Sequence, residues 1–387
     1  MGGLRRWFNK GWSDRFRLCY GLLALGTCMV VAACGGNTAL NSSSNSPENS
    51  SSPAPAAQSC YTVTHMAGET EICDRPEKIA VLDTHSLDVL LGLKQQPAGV
   101  VTPVPLDADR VEHPEVFIPS LGDRITTTPA YLGSFGQPPS LETLLQLKPD
   151  LVVGEVWSVQ AISDAMLSEV APTVSLFPRS EPGNWRDNIR VLAQALGDER
   201  LADQAIAQYD KELETTRKAL ANVTATHPKV LLVGGDGFKR GVLLAVTENS
   251  FMGEIVEDAG FDVISPLGID RSIVPLSLEL LPELNEADLV FVLGYSADAA
   301  KLVPPLKTLE TMNTDELLKE RDAIIAQQTA VIKADWESSA IAQSLEASQK
   351  DRVYFYTYYE WNILNGPVGA ESILQQLRQS LPERIVD

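Results

Sequence analysis

The sequence has few histidines and fewer basic than acidic side chains, and both shortages restrict its function. Only four histidines occur in 387 residues, and of these only His85, just past the first predicted strand, is placed to bind a bare metal ion. The 31 basic residues are outnumbered by 51 acidic ones, for a net charge of −20. This charge argues against nucleic acid or anionic lipid as a partner. An anionic small ligand is still allowed, because a few basic groups can set the potential inside a cleft.

The sequence also lacks the common catalytic motifs. It contains no Walker A sequence, no Gly-x-Ser-x-Gly elbow and no His-Glu-x-x-His. The stretch GGDGFKRG (234–241) approaches a dinucleotide-binding spacing, but it has one residue too many and is followed by the strand-like VLLAV. We therefore expect a protein that is not an enzyme and that carries no cofactor and no resident metal. A periplasmic enzyme remains a weaker alternative.

The N-terminus is basic and then apolar, the pattern of an export signal. Five Lys and Arg residues precede LCYGLLALGTCMVVAAC (18–34), a run short for a membrane span. Val31-Ala32-Ala33-Cys34-Gly35 resembles a bacterial lipobox, which predicts a signal peptide over 1–33, lipidation of Cys34 and an extracytoplasmic, lipid-anchored protein. An ordinary secretory signal or a retained anchor is the alternative, and RRWFNK leaves twin-arginine export open. Residues 34–58, rich in Ser, Asn and Pro, are predicted to be a flexible tether.

Two cysteines remain in the mature chain beyond Cys34. Cys60 and Cys73 flank YTVTHMAGETEI, which is predicted to form two short strands around a turn near Gly68. An even pair in an oxidising compartment favours a disulfide across this hairpin. Two buried free thiols are the alternative.

The rest of the chain alternates strand-like and helix-like segments, which is typical of α/β folds with mostly parallel sheets. One series runs from KIAVLD (78–83) to PTVSLF (172–177), and another runs from a strand at 229–233 to a final helix at 369–380. Between them, residues 199–223 contain no Gly or Pro and carry one apolar stripe, which predicts a long helix with Asp198 as N-cap. We therefore predict two α/β lobes, over 59–183 and 225–387, joined by helices over 184–224.

One phrase of the sequence occurs twice. SLETLLQLKPDLVVG (140–154) is echoed by SLELLPELNEADLVFVLG (277–294), and each begins Ser-Leu-Glu and ends in an apolar strand closed by Gly. Physical chemistry alone explains each Ser as a helix N-cap and Glu142 and Glu279 as first-turn carboxylates.

Five stretches resemble, in order, the helical-backbone class of substrate-binding proteins for ABC importers of ferric siderophores, haem and cobalamin. They are RPEKIAVLDTHSLDVLLGL, LGSFGQPPSLETLLQLKPDLVVG, TENSFMGEIVEDAGFDV, LSLELLPELNEADLVFVLG and DRVYFYTYYEWNILNGPVGAESIL. The resemblance covers most of residues 74–380. It implies two lobes on one long backbone helix, with a ligand held in a shallow cleft. It also implies that Glu142 and Glu279, one on each lobe, dock into arginine pockets of a permease dimer.

For the ligand, the resemblance implies a ferric siderophore or ferric citrate, held by aromatic walls and arginines. Haem or cobalamin is the alternative within the same fold, and a free metal ion is a weaker one. Candidate ligand residues lie on loops that follow predicted strands or precede the second Ser-Leu-Glu: Phe135, Trp157, Arg179, Trp185, Arg240, Arg271, Tyr295 and Trp361. Phe135 stands where hydroxamate-binding relatives have Arg, which argues against that manner of binding. The protein is expected to be a monomer. The sequence offers no functional account of the charge-rich residues 298–350.

Overall fold

The structure is a computed structural model that describes residues 59–103, 105–106, 108–178, 184–235, 237–266, 271–294 and 312–382. The predicted signal peptide, the lipidation site Cys34, the tether and the candidate ligand residues Arg179 and Tyr295 lie outside the described residues. No described helix is both long enough and apolar enough to cross a membrane.

The first lobe is a parallel sheet with a hairpin at its edge. The hairpin pairs β1 (Cys60–His65) with β2 (Gly68–Cys73), and the register sets Cys60 opposite Cys73, whose sulfur atoms are bonded. The sheet strands are β3 (Ile79–Val81), β4 (Gly99–Thr102), β5 (Ala130–Ser134), β6 (Leu151–Glu155) and β7 (Thr173–Leu176). Their order is β5-β4-β3-β6-β7, all parallel. Apolar runs buried on both faces are typical of such strands.

Helices cover the faces of this sheet, as crossover connections between parallel strands require. They are α1 (Thr84–Gly92), α2 (Pro114–Phe117), α3 (Leu141–Leu147), α4 (Val156–Ile162) and α5 (Asp164–Ser168), with a 3₁₀ helix at Gly122–Arg124. Helix α1 begins at Asp83, whose side chain accepts a hydrogen bond from the N–H of Ser86 at 2.8 Å. The other oxygen of Asp83 accepts a hydrogen bond from the N–H of Glu155, so one carboxylate ties the carboxyl end of β6 to the segment that follows β3.

Two helices connect the lobes: α6 (Asn184–Ala195) and α7 (Arg200–Thr226). Helix α7 has 27 residues, about 40 Å at 1.5 Å per residue, which confirms the predicted long helix. Its predicted cap is wrong, because Glu199 is the N-cap and makes no side-chain capping bond. Asp198 instead accepts hydrogen bonds from Arg200 and Arg75, which lower its pKa to about 2.

The second lobe is a mixed sheet. Its strands are β8 (Lys229–Gly234), β9 (Val242–Val246), β10 (Asp262–Val263), β11 (Ile273–Ser277), β12 (Leu289–Gly294) and β13 (Val353–Thr357). The order is β11-β9-β8-β12-β13, with β10 beside β8, and only the pairs that contain β9 are antiparallel. The predicted fold class, two α/β lobes with mostly parallel sheets, is confirmed.

Helices also flank the second sheet. They are α8 (Phe251–Asp258), α9 (Thr314–Ser338), α10 (Ala340–Gln343), α11 (Glu346–Gln349), α12 (Tyr358–Asn362) and α13 (Pro367–Ser380), with 3₁₀ helices at Gly237–Arg240 and Leu278–Leu284. Pro367 stands at the first position of α13, where the missing N–H costs no hydrogen bond.

A buried carboxylate joins the lobes directly. Asp88, on α1 of the first lobe, is fully buried and accepts hydrogen bonds from the N–H groups of Gly366, Val368 and Gly369 at the start of α13. The helix dipole favours a negative charge at this position. A Cβ on Gly366 would lie 2.7 Å from Asp88 Oδ1, so the close approach requires glycine.

Burial nevertheless raises the pKa of Asp88 from 3.8 to about 6, although its three backbone donors act in the opposite direction. The folded protein therefore binds a proton on Asp88 more tightly than the unfolded chain does. The resulting stabilisation of the folded state is fully present below pH 3.8. That contribution is lost as the pH rises through about 6. The difference between a pKa of 3.8 and one of about 6 corresponds to about 3 kcal/mol.

We expect Asp88→Asn to remove this pH dependence. The free energy of unfolding of the native protein, measured with urea, should fall relative to that of the variant by about 2 kcal/mol between pH 4 and pH 7.5, since the unfolded carboxyl is already partly ionised at pH 4. Other titrating groups cancel in this comparison because both proteins carry them. Parallel pH profiles for the two proteins would contradict the assignment.

Candidate ligand cleft and docking surface

The carboxyl ends of the strands in the two sheets lie on the side where the lobes meet. Glu360 follows β13 of the second lobe, and its carboxylate accepts a hydrogen bond at 2.9 Å from the hydroxyl of Ser120 in the first lobe. Ligands of α/β folds bind outside the carboxyl ends of strands. The space between these two edges is therefore the candidate ligand cleft.

Two aromatic side chains stand exposed at the carboxyl edge of the first sheet. Phe135 directly follows β5 and is 64% exposed, and its N–H donates to the carbonyl of Thr102 at the end of β4. Trp157, the second residue of α4, follows β6 and is also 64% exposed. Large exposed rings on a rigid edge offer apolar contact area without rearrangement of the protein.

The second lobe contributes Arg240 to the same side, but not Arg271. Arg240 is exposed and ends the 3₁₀ helix that follows β8. Strand β11 is antiparallel to β9, which is antiparallel to β8, so β11 and β8 run in the same direction. The first residue of β11, Ile273, lies opposite Val246 of β9, and Val246 lies opposite Leu232 in the middle of β8. Arg271 precedes Ile273 and therefore lies toward the amino ends of the strands. The structure does not bring these two arginines together.

Trp185 is a core residue, contrary to the expectation that it contacts ligand. It is 3% exposed, its ring meets those of Tyr209 and Phe251 edge-on at 4.8 and 6.0 Å, and its Nε1 donates to Glu254. The Arg186 guanidinium lies 4.2 Å above the same ring. Trp185 therefore packs α6 against the second lobe and has no face left for a ligand.

Trp361 is likewise buried. Its side chain is inaccessible, its ring stacks on Tyr356 at 4.7 Å, and its Nε1 donates to Gln376 Oε1 at 3.0 Å. The preceding residue, Glu360, reaches the lobe interface instead, and it also accepts from Thr357 and Gln376. The sequence shows that YYEWN follows a strand, but not which of its side chains points away from the core.

His85, the histidine best placed for a bare metal ion, is also buried. Its Nε2 lies 3.1 Å from the Asn188 side-chain nitrogen, and Asn188 in turn pairs with both backbone groups of Phe177. Among the described residues, one group of three metal-ligating side chains is close enough to hold an ion: Cys60, Cys73 and Glu71. Its two sulfurs are bonded to each other, so the geometry does not favour the free-metal alternative.

The aspartate of the repeated phrase has the same structural role in both lobes. Asp150 accepts hydrogen bonds from the N–H groups of Glu77 and Lys78, just before β3. Asp288 accepts from the N–H of Lys229, the first residue of β8. Each aspartate therefore fixes the start of its own strand beside the neighbouring one.

The serines of the phrase differ, while both glutamates are exposed. Ser140 caps α3 by accepting from the N–H of Thr143, as predicted. Ser277 makes no side-chain capping bond, so its predicted capping role is wrong, and the helix that follows it is a 3₁₀ helix with Pro282 inside it. Glu142 and Glu279 lie in the first turns, exposed to solvent, after the edge strands β5 and β11.

Exposed apolar side chains accompany both glutamates. Leu145 is 54% exposed one turn after Glu142, and Leu280 is 44% exposed next to Glu279. Each glutamate therefore has one exposed leucine near it in the sequence.

Comparison with known proteins agrees with this geometry. A sequence profile of the family described as periplasmic binding protein matches residues 79–359. YhfQ of Bacillus subtilis (strain 168), whose name describes an ABC transporter substrate-binding lipoprotein, is 25% identical over 349 residues, 89% of this chain and 94% of YhfQ. The Fe(3+)-citrate-binding protein YfmC of the same organism is 23% identical over 327 residues, 84% of this chain and 92% of YfmC.

The fold has solved counterparts as well. The crystal structure of Staphylococcus aureus SirA complexed with staphyloferrin B superimposes with a TM-score of 0.59 at 23% identity. The match covers 83% of this chain and 98% of SirA, so the two share a fold over nearly the whole of SirA. From the extent of the profile match, the chain belongs to the periplasmic binding protein family.

Proposed function

We propose that this protein captures a ferric chelate outside the cytoplasm and delivers it to the permease of an ABC importer. The observation that carries the proposal is the pair of exposed rings, Phe135 and Trp157, fixed at the carboxyl edge of the first sheet. Relatives named for Fe(3+)-citrate binding and for ABC transport support it. The activity is binding alone, without chemical change to the ligand.

The chemistry of the cleft suits an anionic chelate with an organic shell. The two rings supply apolar contact to that shell, and the Arg240 guanidinium supplies charge-assisted hydrogen bonds to carboxylate or phenolate oxygens. Arg179 and Tyr295, which lie outside the described residues, remain proposed members of this site. Trp185, Trp361 and Arg271 are not proposed again, because the first two are buried and the third lies toward the opposite end of its sheet.

We expect Trp157→Ala and Phe135→Ala each to weaken binding of ferric citrate or a ferric siderophore by about 3- to 10-fold, the value of one aromatic contact. Arg240→Ala should weaken it by roughly tenfold or more, since it removes a charge-assisted hydrogen bond. Isothermal titration calorimetry measures both effects. Haem and cobalamin, titrated in parallel, test the alternative ligands.

Met166→Ala is the matched control. Met166 is 46% exposed but lies on α5, which precedes the amino end of β7, and its loss should leave affinity unchanged. Unchanged affinity in the Trp157, Phe135 and Arg240 variants would contradict the proposed site. Tighter binding of neutral cobalamin than of every iron complex would contradict the proposed ligand class.

We also propose that Glu142 and Glu279 bind arginines of a permease dimer. Two equivalent carboxylates on two lobes match two equivalent subunits of a partner. Loss of one member of an interfacial charge pair costs about 2–5 kcal/mol, whereas loss of a first-turn carboxylate costs a few tenths. The two roles are therefore separable by experiment.

In the double variant Glu142→Gln, Glu279→Gln, we expect uptake of the iron chelate by cells to fall strongly, while the purified protein binds the chelate as before. Glu169→Gln, an exposed glutamate of the first lobe, is the control and should leave uptake normal. Normal uptake in the double variant would assign both glutamates to helix capping alone.

The membrane anchor is proposed from the sequence. Cys34 should be the first residue of the mature protein, with a diacylglyceryl adduct that mass spectrometry of the native protein detects. A native mature protein that begins at another residue without lipid would contradict this anchor.

A further inference from the structure

Helix α9 has its two halves packed on different lobes. In its C-terminal half, Ile332 and Trp336 are 2% and 1% exposed and join a core cluster with residues of β8 and β12. Trp336 Nε1 also donates to Ser348 Oγ at 3.1 Å. This half is therefore an integral layer of the second lobe.

The N-terminal half reaches the first lobe. Leu317 is 4% exposed and packs against Val116 of α2, which is 8% exposed, in a separate apolar cluster. Arg321, one turn later on the same face, donates from Nη1 to the carbonyl of Glu115. We call this contact of Leu317 and Arg321 with α2 the latch.

One close contact shows how far α9 projects beyond the second sheet. A Cβ on Gly294, the last residue of β12, would lie 2.8 Å from the Gln328 carbonyl, so Gln328 is level with the carboxyl edge of the sheet. The 14 residues before it extend past that edge by about 21 Å at 1.5 Å per residue. A capping box between Asn313 and Glu316 stabilises the projecting end.

We propose that α9 is a further bridge between the lobes, in addition to α6, α7 and the Asp88 contact, and that the latch limits how far the lobes separate. Lobe separation must break every contact that crosses the interface, and the latch adds a buried apolar pair and an arginine hydrogen bond to them. The bridge goes beyond the proposed function and does not depend on which chelate is bound. It gives a role to part of the charge-rich stretch for which the sequence offered none.

Amide hydrogen exchange of the ligand-free protein tests the bridge. Leu317→Asp and Arg321→Ala each break the latch from the α9 side. We expect exchange to rise about tenfold at residues 314–327, the factor that corresponds to roughly 1.4 kcal/mol. If the latch limits separation, exchange should also rise at Gly366, Val368 and Gly369, whose N–H groups bind Asp88 in another part of the interface.

The exposed residue Lys319 supplies the control, and Lys319→Ala should change neither segment. A rise confined to 314–327 would mean that α9 is docked on the first lobe without restraining it, and would overturn the proposal. No rise in either segment would overturn it as well. If Leu317→Asp unfolds the protein, Arg321→Ala, which removes one hydrogen-bonding side chain, decides between these results.

Discussion

The buried contact between α1 of the first lobe and α13 of the second sets the distance between the two sheets, and the cleft depends on it. Asp88 is the centre of this contact, because its carboxylate satisfies three N–H groups that would otherwise be buried without acceptors. Helices α6 and α7 provide the covalent connection, and Arg186 on α6 pairs with Glu254 and Asp258 of α8. We expect lobes held in this way to tilt slightly and not to swing wide apart.

Contacts that hold the two lobes at a set spacing suit the proposed role in binding. If Phe135 and Trp157 bind ligand as proposed, their rings are already positioned in the free protein, so little ordering entropy is lost on binding. Exposure of these apolar rings to water raises the free energy of the ligand-free protein, and a ligand that covers the rings removes that cost. The same contacts hold the lobes that carry Glu142 and Glu279, and the proposed docking to a two-fold permease needs a set separation between these two glutamates. The ligand site and the proposed docking surface therefore depend on the same inter-lobe contacts.

The sequence predicts the fold well because its information is local and repeated. Apolar runs of strand length alternate with amphipathic segments, and the absence of Gly and Pro from 199–223 predicts α7. The candidate site is predicted less well. Trp185 and Trp361 both follow strands of the cleft edge, yet the side of the next helix on which a ring lies depends on tertiary packing. The sequence does not predict helix α9 for a related reason: its buried residues Leu317, Ile332 and Trp336 pack on two different lobes and form no continuous apolar stripe.

The most direct test of the account is the position of iron in crystals of the protein grown with ferric citrate or a ferric siderophore. Anomalous diffraction at the iron absorption edge locates the metal without assumptions about the chelator. We predict one iron between the carboxyl edges of the two sheets, with its chelator in contact with Phe135 and Trp157. Iron bound elsewhere on the protein, or held directly by protein side chains without a chelator, would contradict it.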